Sequence, residues 1–222
     1  ARRTRLTTRQ CQIERDQTVM IAIDAGRLVT GRINDETKFD TAVHASLALM
    51  SACNRAGDNC GLVVFGRRVR RFVPPKRGLE HIDSVLESLY DLEPDLIEPS
   101  YARGFQYIAS NLKKRAFVVI LTDVVDKDSS KDLIHSLRLL RPRHLPLVAT
   151  LGDRDLSAAV SQVPGDIKDV FTQSAAEEII HQRETALRMV ETLGGLALDV
   201  TSRTLAPRLL ESYLRVKERG LL

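Results

Sequence analysis

Two carboxylates sit where an open α/β sheet would concentrate chemistry. Asp24 closes the apolar run Thr18 to Asp24 (TVMIAID), and Asp123 closes Ala116 to Asp123 (AFVVILTD). If both runs are central parallel strands, the two acids face one another in the crevice beyond the strand carboxyl ends, where such sheets bind ligands. Ser100, ahead of a helical stretch, can add a hydroxyl from a neighbouring loop. Oxygen donors of this kind suit a hard divalent cation. The plainer alternative is that the aspartates cap turns and adjoining helices. Asp126 and Asp128 continue the acidic run, but Lys127 splits them and no nucleophile motif accompanies them. A polar loop, with Ser129 or Ser130 capping the next helix, is the better reading there.

Other chemistries lack their motifs. His44, His81, His135, His144 and His181 form no H-E-x-x-H, and none has a Cys or carboxylate at zinc spacing. His44 lies beside the apolar face of its helix and is expected to be structural. There is no G-x-S-x-G and no G-x-x-x-x-G-K-[ST], and Gly26 with Gly31 does not complete G-x-G-x-x-G. Cys11, Cys53 and Cys60 make no C-x-x-C pair, so a reduced compartment is the simpler reading; the spacing allows a Cys53–Cys60 bridge without demanding it.

Lys and Arg number 33 against 29 Asp and Glu, a net charge of +4 that permits contact with anions without requiring it. The densest basic stretch is Arg67, Arg68, Arg70, Arg71, Lys76 and Arg77, with Phe72 the nearby aromatic. So little interleaving favours a solvated edge hairpin over a nucleic-acid surface, and no specific nucleic-acid partner is expected. Arg2, Arg3, Arg5 and Arg9 read as an exposed basic terminus.

The elements that would position the acids follow from periodicity. Thr18 to Asp24, Cys60 to Phe65, Ala116 to Asp123 and Leu145 to Leu151 are near-continuously apolar, as strands covered on both faces should be; Leu196 to Val200 is shorter. Arg68 to Val73 alternates and follows a Gly66-Arg67 turn, predicting an antiparallel edge strand, with Pro74-Pro75 and Glu93-Pro94 as loops. Helical spacing links Phe39, Val43, Leu47 and Met50, then Leu79, Ile82, Leu86 and Leu89, then Phe105, Ile108 and Leu112, then Leu133, Leu137 and Leu140. Gly57 is a fitting stop for the first. Ser174 and Glu177 make a capping box for a helix from Gln173 to Leu193, with Glu178, Arg183, Glu184 and Arg188 outward and Gly194 as its stop. Pro207 suits the first turn of a last helix carrying Leu210, Tyr213 and Leu214. The expected fold is α/β: a doubly wound, mostly parallel sheet flanked by helices, with one antiparallel edge strand. One domain is expected over 1–222, and 43% hydrophobic residues suffice for its core without disulfide or metal.

An acidic strand end, an amphipathic helix, Gly57-Asp58-Asn59-Cys60-Gly61-Leu62-Val63-Val64-Phe65 and the later Leu121-Thr122-Asp123 together resemble a von Willebrand factor A domain. The flanks Glu14-Arg15-Asp16 and Tyr213-Leu214-x-Val216-Lys217-x-x-Gly220 are similar to those of the bacterial family called domain of unknown function fifty-eight. The resemblance spans essentially the whole chain. It implies that residues 1–16 are the tail of an upstream segment. It also implies a cytoplasmic domain tethered to the inner membrane in the full-length protein, and a MoxR-type AAA+ ATPase as partner in assembling or activating complexes. No apolar run here approaches the roughly 20 residues of a membrane span, and no signal peptide is visible.

Metal-binding A domains end the first strand with Asp-x-Ser-x-Ser, and the resemblance implies a Mg²⁺ or Mn²⁺ site. Here the strand continues Asp24-Ala25-Gly26-Arg27-Leu28, so both serines are replaced. No resident cofactor is therefore expected, and Arg27 or another nearby arginine is expected to pair with Asp24 or Asp123 in the ion's place. Restoring serine at 26 and 28 while removing Arg27 is then expected to create Mg²⁺ affinity. The sequence favours a protein-binding module, with Asp24, Gly26, Arg27, Ser100 and Asp123 as its rim. A Mg-dependent phosphoester enzyme, or nucleic-acid binding through the basic hairpin, is the alternative.

Overall fold

A computed structural model describes residues 16–33, 36–124, 127–152 and 154–222. The apolar runs form the strands β1 (Thr18–Asp24), β4 (Asn59–Phe65), β6 (Phe117–Thr122), β7 (Leu145–Leu151) and β8 (Leu196–Val200), all parallel. β5 (Val69–Lys76) pairs antiparallel with β4 at one edge. The order is β5-β4-β1-β6-β7-β8, and β2 (Arg32–Ile33) with β3 (Glu36–Thr37) makes a separate small ribbon. β5 runs through Pro74-Pro75, which had read as a loop; an edge strand tolerates proline because one row of its N–H groups has no partner strand.

Helices cover both faces, as two-sided burial of the strands requires. On one face lie α1 (Lys38–Arg55), α2 (Leu79–Leu89) and α7 (Ser202–Glu218), packed on Val19, Ile21, Ile23, Val119 and Leu121. On the other lie α3 (Tyr101–Asn111), α4 (Lys127–Leu137) and α6 (Ile167–Thr192), packed on Met20, Ala22, Val118 and Ile120. α5 (Arg154–Ser161), which no periodicity had indicated, packs on α6.

Several helical registers differ from those the sequence suggests. The buried stripe of α1 is Phe39, Ala42, Ala45, Leu49, Met50 and Cys53; Val43 and Leu47 flank it, and His44 is exposed beside Glu36 rather than structural. In α2 the inward residues are Val85 and Leu89, while Leu79 and Leu86 face solvent. α6 starts at Ile167 under an Asp166 cap, so Ser174 and Glu177 lie inside it. α7 starts at Ser202, where Thr201 and Thr204 cap it, leaving Pro207 well inside the helix. Its buried stripe is Leu205, Leu209, Tyr213 and Val216. In each case tertiary packing overrides a locally plausible cap or stripe. The expected stops hold: Gly57 and Gly194 adopt positive φ of 76° and 78° after α1 and α6.

The chain leaves β1 toward β4 and β5, then crosses back to β6, β7 and β8. The switch point therefore lies between β1 and β6, where Ile23 pairs with Leu121. That register sets Asp24 beside Thr122 and Asp123, at the carboxyl end of the sheet.

Candidate functional site

Asp24 and Asp123 are both fully buried. The Asp24 carboxylate is held by neutral groups: Gly26 N–H donates to Oδ1 at 2.7 Å and the Thr122 hydroxyl to Oδ2 at 2.6 Å. The Tyr101 hydroxyl lies 3.4 Å from Oδ2 and 2.8 Å from Thr122 Oγ1. Gly104 makes this possible. A Cβ there would stand 2.9 Å from the Phe65 ring, so α3 settles close on β4 and brings Tyr101 to the strand ends. Burial is the main cause raising the Asp24 pKa from 3.8 to about 6, with the hydrogen bonds opposing it and nearby Asp123 adding to it. Burial likewise pushes the Tyr101 hydroxyl well up.

Asp123 is held by cations. Lys38 Nζ, at the start of α1, lies 2.6 Å from Oδ2; Arg183, from the middle of α6, donates to Oδ1 at 3.0 Å alongside Val124 N–H at 2.8 Å. α1 and α6 lie on opposite faces of the sheet, so this carboxylate is gripped from both. Arg183 also approaches Asp199 on β8 at 4.0 Å, and Thr150 on β7 donates to that acid at 3.3 Å. Burial raises the Asp199 pKa, and Arg183 opposes the rise.

The residues the sequence marks do not all converge as expected. Gly26 lies at the Asp24 end of β1, and a Cβ there would stand 2.6 Å from Pro99 Cδ and 3.0 Å from the Ile97 carbonyl. The space a first serine would occupy is filled by the loop 95–99, which Asp95 N to Ala25 O (2.7 Å) and Arg27 N to Ile97 O (3.0 Å) tie down. Arg27 is half exposed and pairs with Glu98, so the cations on Asp123 are Lys38 and Arg183 instead. Ser100 is half-buried at the N-cap of α3, with its N–H on the Gly66 carbonyl and no capping bond from its side chain. Arg183, read from sequence as outward, is 3% exposed. Its signal was a seven-residue spacing between Ala176 and Val190 on the inward stripe. The signal for Lys38 was a cation in the first turn of a helix, where the dipole favours acids.

The donor set matches a hexacoordinate divalent ion poorly. Each oxygen of the two carboxylates already accepts a hydrogen bond or a charge-assisted contact. Two positive side chains stand on one of them. Among the described residues, no three His, Cys, Asp or Glu side chains are placed together for a metal. Asp128 pairs with Lys131 at 3.2 Å, while Asp126 lies outside the described residues. In the basic hairpin, one guanidinium nitrogen of Arg71 donates to both Asp91 oxygens at 2.8 and 3.0 Å, and Arg70 donates to the Glu93 backbone carbonyl and pairs with Asp95 at 3.4 Å. That hairpin is thus partly neutralised within the chain.

At the opposite end of the sheet, two motifs far apart in sequence meet. Buried Asp58 accepts from Gln17 N–H at 3.0 Å, from the Tyr213 hydroxyl and from Lys217 Nζ at 2.8 Å. This joins the Gly57-Asp58 turn to the Tyr213–Lys217 stretch and fastens α7 across the sheet. Cys53 and Cys60 are buried free thiols, while Cys11, Glu14, Arg15 and the arginines at 2, 3, 5 and 9 lie outside the described residues.

Similar folds occur among solved structures. BatB from Bacteroides thetaiotaomicron, described as a conserved hypothetical protein, superposes with a TM-score of 0.58 at 11% identity, covering 91% of this chain and 99% of that one. An aerotolerance-related membrane protein from Bacteroides fragilis gives 0.56 at 12%, covering 88% and 97%. The VWA domain of SpRpn10 gives 0.53 at 13%, covering 86% and 92%. The fold is accordingly of the von Willebrand factor A type. No curated protein matches the chain. A family profile matches residues 1–188, and the chain belongs to that family, described as "Protein of unknown function DUF58".

Proposed function

We propose that this domain recognises a protein partner through the carboxyl end of its sheet, and that it does so without a divalent ion. The observation that carries the reading is Asp123, whose two oxygens carry the tethered cations Lys38 and Arg183. These side chains supply the positive charge that an adhesion site takes from a metal. They are anchored in α1 and α6, so the charge stays with the chain. Asp24 and Asp123 are too deep to meet a partner; the exposed part is the loop 95–99, tied to the backbone of Ala25 and Arg27 just beyond Asp24. That loop exposes Leu96, Ile97 and Glu98 beside Arg27, an apolar pair rimmed by opposite charges. The partner the family resemblance implies is a MoxR-type AAA+ ATPase, and the likeness to a membrane protein supports a tether at the inner membrane.

Capture of the MoxR-type ATPase by immobilised domain tests this, run with Mg²⁺ and with a chelator against the domain. To keep nucleotide binding out of the comparison, the ATPase is used without nucleotide. Equal capture in both is expected, with Ile97→Asp weakening capture at least tenfold. Capture that needs Mg²⁺, or that ignores Ile97→Asp, would overturn the reading.

A further inference from the structure

At the amino end of the sheet, opposite the site, two neighbouring loops carry cations and no acid. The loop before β6 carries Lys113, Lys114 and Arg115; the loop before β7 carries Arg138, Arg141 and Arg143. Neither 112–116 nor 138–144 contains a carboxylate. The two loops are adjacent because Phe117 pairs with Leu145, and they are stitched together: Arg143 donates to the Leu112 carbonyl at 3.2 Å, and Leu145 N–H to the Ala116 carbonyl at 2.9 Å. Arg141 reaches the Leu193 carbonyl at 2.6 Å, tying in the loop before β8. Lys76, at the same end of β5, extends the basic surface, while Arg77 beside it pairs with Asp16 at 3.5 Å; Lys113 and Lys114 line an open cleft of about 360 Å³ with Thr18, Asn59 and Pro75. Inside this surface His144 is buried, with neither ring nitrogen hydrogen-bonded.

We infer that this end of the domain is a docking face for an anionic lipid bilayer, on which the recognition loop points away from the membrane. Charge complementarity names the class of partner: six cations in two adjoining loops, with no acid in either, fit a layer of phosphate headgroups. Two further observations select a bilayer over a nucleic acid. The loop before β7 exposes Leu139, a side chain that can enter the headgroup boundary, and neither loop offers an exposed aromatic on which a base would stack. The orientation rests on the proposed recognition loop; the docking face itself rests on the loop charges and on Leu139.

The test is cosedimentation of the 222-residue chain with vesicles of phosphatidylcholine alone and of phosphatidylcholine with phosphatidylglycerol in equal parts. Binding to the anionic vesicles only, weakening with salt, is expected. Each basic residue near a surface contributes a factor of about five, so Lys113→Ala/Lys114→Ala/Arg115→Ala should weaken binding roughly a hundredfold. Neutralising Arg67 and Arg68, at the other end of the sheet, should leave it within about twofold. A thermal melt confirms that both variants fold. Failure to bind anionic vesicles, equal loss in the two variants, or tighter binding to a duplex oligonucleotide lost in the triple variant would overturn the inference. Each of these outcomes is independent of whether the ATPase is captured.

Discussion

Asp24 and Asp123 sit side by side at the strand ends, yet they are stabilised in opposite ways. Asp24 is surrounded by hydroxyls and a backbone N–H, and burial lifts its pKa from 3.8 to about 6. The folded state therefore holds this proton more tightly than the unfolded chain. The sign follows: stability is greatest below the unfolded pKa and falls as pH rises from 3.8 to about 6, after which the cost is constant. The two-unit displacement corresponds to about 3 kcal/mol. Asp24→Asn should flatten that part of the stability–pH curve and be at least as stable as the parent at neutral pH, as urea unfolding at several pH values would show. Asp123 depends on its cations. Lys38→Met removes one of two and leaves Arg183 to hold the buried charge alone; a loss of about 3 kcal/mol is expected in the same unfolding experiment. A loss under about 1 kcal/mol would mean that Lys38 does not neutralise the site.

Among the elements, the loop 95–99 and α7 are each fastened by identifiable polar contacts. The loop occupies the place a serine at 26 would need, so Gly26→Ser with Leu28→Ser should not create Mg²⁺ affinity by calorimetry. It should instead cost about 1–3 kcal/mol through overpacking against Pro99. α7 is fastened by Asp58, Tyr213 and Lys217. Tyr213→Phe removes one hydrogen bond and should cost about 1–2 kcal/mol. Asp58→Ala strands the buried Tyr213 hydroxyl and the Lys217 ammonium and should cost about 3–5 kcal/mol. Faster amide exchange confined to α7 in Tyr213→Phe would locate the effect; uniform exchange would assign it elsewhere.

For the whole molecule, the two ends of the sheet are chemically distinct. One end buries a saturated polar network beneath an exposed loop; the other displays cations. A domain that has internalised its positive charge should be indifferent to divalent ions. An ion present at a hundredfold excess over its dissociation constant would stabilise the fold by about 2.7 kcal/mol. Thermal melts in millimolar Mg²⁺, in Mn²⁺ and in chelator should therefore superimpose. A rise of several degrees with either metal would show that the carboxylates bind it despite Lys38 and Arg183.

Apolar continuity along the chain is enough to read the main strands, their mostly parallel arrangement and the two acids at the switch point. Strands buried on both faces must be continuously apolar, so Thr18–Asp24 and Phe117–Thr122 declare themselves, and the first charged residue at each end is where the sheet stops. The sequence offered Asp58 and Tyr213–Lys217 as separate points of resemblance to known domains without showing that they touch. Helical faces were less legible: small residues such as Ala42 and Ala45 line the tightest contacts and carry little periodic signal. Which cation meets which acid is visible only in the packed fold. Lys38 lies 85 residues from Asp123 and Arg183 lies 60 away, and their meeting depends on two helices packing on opposite faces of one strand end. A pairing of that kind leaves no local spacing to read; Arg27, the near neighbour in sequence, is turned to the surface by the loop that fills the ground beneath it.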